Sequence, residues 1–279
     1  MNSENFNFSN QNLRNRSFKG QNLDGANFSF SDIRGCDFSN SSLRGANFEN
    51  VKAGQTIEIF LSLITVAFIT TIIVFHAVSQ MIFGVIERTP ESPVWVYGIA
   101  LSISLAIAGI ASAAMSLAKR KSIYKRIITI LSGATSGAIL GFFYGGTAAG
   151  GKNPQVAIAS AVIGALIMAI SSFYLKKEKG LIPISLSVAG TIYSYGFSFL
   201  VGTRAIAFFI TPNFINVIWG FSLSFLSLSY ILLTLISLRY TIQEITTYSV
   251  TSFRCSDITN ANFNKAKLGF SDFTNVVKN

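Results

Sequence analysis

A large apolar residue falls at every fifth position from Phe8 to Phe48: Phe8, Leu13, Phe18, Leu23, Phe28, Ile33, Phe38, Leu43 and Phe48. The beat stops there and resumes about two hundred residues later with Phe253, Ile258, Phe263, Leu268 and Phe273. A period of five fits neither the 3.6 of an α-helix nor the two of a strand, so an ordinary amphipathic element is excluded. A fixed internal period implies instead a stacked repeat, in which each unit buries its apolar side chain against the next.

The flanking positions sharpen this. Two residues before the large ones stand small side chains: Ala26, Ser31, Cys36, Ser41 and Ala46, then Ser256, Ala261, Ala266 and Ser271. One residue before stand Asn22, Asn27, Asp32, Asp37, Ser42 and Asn47, then Asp257, Asn262 and Asp272. In this pattern the chain resembles the pentapeptide-repeat family over residues 5–53 and 250–279. The resemblance implies a right-handed quadrilateral β-helix with four repeats per coil. Residues twenty apart then form columns, Phe on two opposite faces and Leu or Ile on the other two. After Phe48 the next inward position is Ala53, and the Phe due after it is supplied in phase by Phe253, which implies that the two runs build one stack. Gln11, Arg16 and Gln21 break the small-residue rule in the first coil, reading either as a polar cap or as a partner-binding surface.

Between the runs the chain is membrane-like. Half of all residues are hydrophobic, and six apolar segments are long enough to cross a bilayer: 57–84, 94–118, 127–149, 155–175, 181–202 and 213–238. The expected fold class is therefore an α+β membrane protein, a six-helix transmembrane bundle inserted into a β-helix. Its domains are 1–53 (β-helix, N-terminal part), 54–249 (transmembrane) and 250–279 (β-helix, C-terminal part). Residues 203–212 fall outside the segments and suit a short interfacial or re-entrant piece.

Nineteen of the twenty-two Lys and Arg lie on one side of these segments, including Lys119, Arg120, Lys121, Lys125 and Arg126 in one loop and Lys176, Lys177 and Lys179 in another. The opposite loops carry only Arg88, Lys152 and Arg204. The positive-inside rule puts both termini, and hence both repeat runs, in the cytoplasm, with the chain in a bacterial inner membrane or a thylakoid membrane. The net charge of +10 sits at the membrane edge, where it suits anionic lipid head groups, and nucleic acid is not an expected partner.

Gly133, Gly137, Gly141 and Gly145 recur every fourth residue on one face of the third segment. This spacing allows close approach of a helix backbone: the second segment, the fourth, a second copy, or the border of a pore. The most hydroxyl-rich segment is the fifth, where Tyr193, Ser194, Tyr195 and the following Arg204 mark either a solute path or helix-packing contacts. His76 is the only histidine, Cys36 and Cys255 have no metal-ligand spacing, and Gly150-Gly151-Lys152 lacks that of a phosphate loop. No catalytic set, metal site or cofactor site is expected. The expected role is a scaffold, assembly or regulatory subunit, with membrane lipids and a membrane complex or homo-oligomer as partners. The alternative is a channel or transporter for a neutral solute or anion. The family resemblance implies protein binding through the repeat faces, and membrane-anchored members are associated with cyanobacteria.

Overall fold

A computed structural model describes residues 6–86, 95–118, 123–151, 153–174, 180–210 and 213–278. The chain divides into two compact units, Met1–Ile64 with Gln243–Asn279, and Thr65–Ile242.

In the first unit each five-residue repeat makes one side of a coil. The residue before the large one bridges to the residue twenty positions on, as Asn7 to Asn27, Asn12 to Asp32 and Ser17 to Asp37. The large residue and the next repeat's small residue point inward, and a two-residue turn lies between them. That turn closes on a left-handed residue, which explains why Asn10, Asn15, Asn40, Asn50, Asn260 and Asn275 have φ of 56–60° or close to it, with Asn50 at 54°. The Asn or Asp before the large residue accepts a hydrogen bond from the backbone N–H two residues on, as Asn27 Oδ1 from Ser29 (3.0 Å) and Asp37 Oδ1 from Ser39 (2.9 Å). These residue types are selected because they hold the turn with their own side chain.

The second run continues the first directly. Asp37 bridges to Ser252, Ser42 to Asp257, Asn47 to Asn262 and Lys52 to Lys267. Phe38 stacks on Phe253 with centroids 5.1 Å apart, and Phe48 on Phe263 at 4.9 Å. Rings in the two Phe columns also meet edge-on across the core, Phe28 with Phe38 at 5.4 Å and Phe48 with Phe253 at 5.5 Å. Aromatic pairs of this kind add about 0.5–1.5 kcal/mol each beyond burial. The small inward positions Ser31, Ser41 and Ser256 donate their hydroxyls to Phe28, Phe38 and Phe253 carbonyls at 2.6 Å, so these buried hydroxyls are paired. The first coil is regular despite Gln11, Arg16 and Gln21, whose side chains are exposed.

The expected α+β fold class with a quadrilateral β-helix is corrected by this structure. Among the described residues there is no strand and no sheet: the pairings between repeats are isolated single-residue bridges, and six α-helices are the only regular elements. The reason is the period. A left-handed turn every five residues leaves one bridged residue per side, too few for a strand. The chain is α-helical and carries a stacked coil of turns.

The six helices are α1 (Ile57–Ile86), α2 (Trp95–Leu117), α3 (Ile123–Ala148), α4 (Pro154–Tyr174), α5 (Leu181–Ile210) and α6 (Phe214–Thr247). All six are long and apolar enough to cross a membrane. α5 continues to Ile210, so residues 203–210 are helix and not a separate re-entrant piece. In the second unit α5 is the centre: 72% of its apolar window is buried, against 11% for α1, α4 and α6. Leu105, Tyr193, Phe197 and Val201 lie in its main core. The loop residues Arg88, Lys119, Arg120, Lys121, Lys152, Lys176, Lys177 and Lys179 lie outside the described residues.

Candidate interaction surface

The coil presents its bridged residues outward in four columns, and each column has its own chemistry. Asn7, Asn27, Asn47 and Asn262 form an amide ladder, in which Asn262 Nδ2 donates to Asn47 Oδ1 at 3.0 Å. Asn12, Asp32, Lys52 and Lys267 form a mixed-charge face. Ser17, Asp37, Ser252 and Asp272 form an acidic one, and Asn22, Ser42, Asp257 and Val277 the fourth.

Two ion-pair networks tie successive coils together. Asp32 receives Arg14 Nε at 2.7 Å and Arg34 at 2.6 Å, and Arg14 also faces Glu58 in the first turn of α1 at 3.8 Å. Burial alone would raise the Asp32 carboxyl, but the hydrogen bonds from Arg34 and Arg14 outweigh it and hold it well below the usual carboxylate range. Arg44 Nε donates to Asp257 at 2.6 Å, a contact between the two runs. Hydrogen bonds from Thr259 and Arg44 lower Asp257 to about 2.

One turn departs from the rest. Phe30 occupies a left-handed position at φ 61°, and the residue is 59% exposed. A bulky residue is strained there, since Asn or Gly carries the same conformation at most other corners. The spacing pattern treats this position as variable, so sequence reasoning did not single Phe30 out. The joining of the two runs follows from the spacing, but the hydrogen bonds that fasten the junction do not. Thr251 Oγ1 donates to the Ile33 carbonyl at 2.8 Å and accepts from the Gly54 N–H at 2.9 Å, while Gln55 Nε2 donates to the carbonyls of Ile245 (3.2 Å) and Tyr248 (2.8 Å). These bonds hold the chain together where it leaves for α1 and returns from α6. Thr251 was legible as the small position two before Phe253; nothing in the pattern marked Gln55.

All fourteen predicted inward residues of the coil pack in or against one core. Leu13, Phe18, Leu23, Phe28, Ile33, Phe38, Leu43, Phe48, Phe253 and Ile258 are buried, and Phe8, Phe263, Leu268 and Phe273 are partly buried against them. Cys36 is sealed in the same core, where burial pushes its thiol up to about 12, whereas Cys255 is exposed.

In the helical unit the glycine face of α3 meets α4. A Cβ on Gly137 or Gly141 would collide with the backbone carbonyls of Gly164 and Ser160, and one on Gly133 or Gly145 with Ser172 or Ser160. The residues proposed for a solute path are not brought together. Tyr193 is buried and hydrogen-bonded to Ser136 at 3.1 Å, and Ser194 is buried against Gly109. Tyr195 faces outward, and the Arg204 guanidinium lies over the Trp95 ring at 5.0 Å. Two other hydroxyls of α5 bridge helices, Ser187 with Thr241 at 2.7 Å and Ser198 with Ser227 at 3.0 Å, while Thr191 and Thr203 donate to carbonyls of α5 itself. Glu244, near the end of α6, is buried, a position missed because the apolar run stops at Leu238.

The family description "Pentapeptide repeats" matches residues 5–40 and 22–56, with 8 copies. The N-terminal run is thus a pentapeptide-repeat segment, and residues 250–278 extend it by bridge register. No curated protein and no solved structure matches the chain.

Proposed function

We propose that the protein is a non-enzymatic integral membrane scaffold or assembly subunit whose pentapeptide-repeat coil is the docking surface for another membrane protein. Pentapeptide repeats suggest a protein-interaction role, and six apolar helices are compatible with a membrane protein. The observation that carries the reading is Phe30: a strained corner that keeps an aromatic ring in solvent gains nothing for the coil itself, and exposed aromatics are the usual anchors of protein interfaces. The basic-residue asymmetry supports a cytoplasmic coil with both termini inside. The transport alternative needs Tyr193, Ser194, Tyr195 and Arg204 on one surface, and their separate environments argue against a single path.

The test is Phe30→Asn, which relieves the backbone and removes the ring. The coil should keep or gain up to about 1 kcal/mol of stability, while a protein that co-purifies stoichiometrically with the wild type from native membranes should be lost. Retention of the same partner at the same stoichiometry by Phe30→Asn would contradict the proposal.

A further inference from the structure

α1 and α5 pack closely at Gly196 and leave a notch beside that contact. A Cβ there would sit 2.9 Å from Val78 Cγ1 and 3.1 Å from Ile82 Cδ1. The cavity is about 170 Å³, with Val78 and Ile82 on one wall and Ile192 and Phe199 on the other. Its rim faces outward, since Phe83 and Tyr195 are both more than half exposed. A cavity of about 150 Å³ admits benzene, so this one takes a single six-membered ring.

The depth of the notch is set by α2. Its 23 residues span about 34 Å, close to the thickness of the hydrocarbon core, and Leu105, near its midpoint, lies beside Gly196. On the membrane reading proposed above, on which this inference rests, Tyr195 is near the centre of the bilayer, facing lipid. Tyrosine belongs at the interface, where its hydroxyl stays wet, and a hydroxyl without a partner in hydrocarbon costs several kcal/mol. Tyr144, Tyr193 and Tyr230 each have a bonded hydroxyl. Tyr195 makes no hydrogen bond or ring contact among the described residues.

We infer that this notch binds a membrane-soluble ring compound bearing a hydrogen-bond-accepting carbonyl, the chemistry of a quinone, with the ring in the cavity and the Tyr195 hydroxyl as donor. The apolar walls supply affinity; the Ser79 hydroxyl in the lining is already given to the His76 carbonyl at 3.1 Å, so the Tyr195 hydroxyl supplies selection. An acyl chain would fill the space and leave the hydroxyl unpaired.

The experiment uses the full chain in nanodiscs of defined saturated phospholipid, titrated with a decyl-tailed benzoquinone and followed by bound stoichiometry and the infrared carbonyl band. Binding should saturate at one probe per chain with a carbonyl band shifted to lower frequency. Tyr195→Phe should weaken binding about tenfold and abolish the shift. Gly196→Ala should weaken it through shape, so the two variants check each other if one folds poorly. Equal binding by Tyr195→Phe, or displacement by decylbenzene as effective as by the quinone itself, would overturn the proposal in favour of a lipid chain. So would failure to saturate together with cross-linking of Tyr195→Cys between two copies, which would show the face to be covered by a second chain.

Discussion

In the coil a residue's task depends on its place within five, whereas in the helical unit it depends on which neighbour happens to face it. Phe28, Phe38, Phe48 and Phe253 are fully buried because each is covered by the ring one coil away. In the helical unit, Tyr193 is buried and Tyr195 is 54% exposed although they are two residues apart on one helix with similar surroundings in sequence. Periodic structure makes each position's environment repeat, so one rule covers fifty residues. The bundle offers no such rule, because the outward and the inward sides of its helices are both apolar.

The contrast is most severely tested by truncation after residue 249. No residue of the first run would change, yet Phe38, Leu43 and Phe48, now fully buried, would lose their covering coil. At about 1.5–3 kcal/mol per side chain the loss is about 5–9 kcal/mol, and residues 6–54 should become sensitive to limited proteolysis. The corresponding change in the helical unit is local. Gly137→Ala places a methyl against the Gly164 carbonyl and should cost about 1–3 kcal/mol by overpacking, read as a lower melting temperature in detergent with the coil's protease resistance unchanged.

What was legible follows the same division. The inward residues, the small positions and the in-phase return at Phe253 follow from spacing alone. The error in fold class came from carrying the spacing of stacked coils over to strands, when a left-handed turn every five residues permits only single bridges. The turn signal itself is present in the sequence as Asn10, Gly20, Gly25, Asn40 and Asn50, but the spacing of the large and small residues does not single these positions out. Among the helices, Gly202-Thr203-Arg204 looked like the end of a segment. Instead α5 runs on to Ile210, and Arg204 is accommodated by its contact with Trp95. Likewise Arg239 and Glu244 concealed the last turns of α6.

Acid gives a smaller effect, confined to the coil. Asp32 and Asp257 are both held below the usual 3.8. A depressed carboxyl contributes stability that is complete above its unfolded value and lost as pH falls through its folded one. The coil should be at full strength above about pH 4 and weaken between 3.8 and about 2. Arg44→Gln should flatten the Asp257 part of that profile, while the helical content of the protein should stay constant over the same range.

The account's central claim is that runs two hundred residues apart form a single stack. Asn47 and Asn262 are bridged, outward-facing partners in that stack, with the spacing of neighbouring strands, about 4.8 Å, within the reach of a disulfide. In a Cys255→Ser background, Asn47→Cys with Asn262→Cys should oxidise rapidly to an intramolecular disulfide, found by peptide mapping to join the first run to the second. Two thiols that both remain open to alkylation in the folded protein under the same oxidant would show that the runs do not meet.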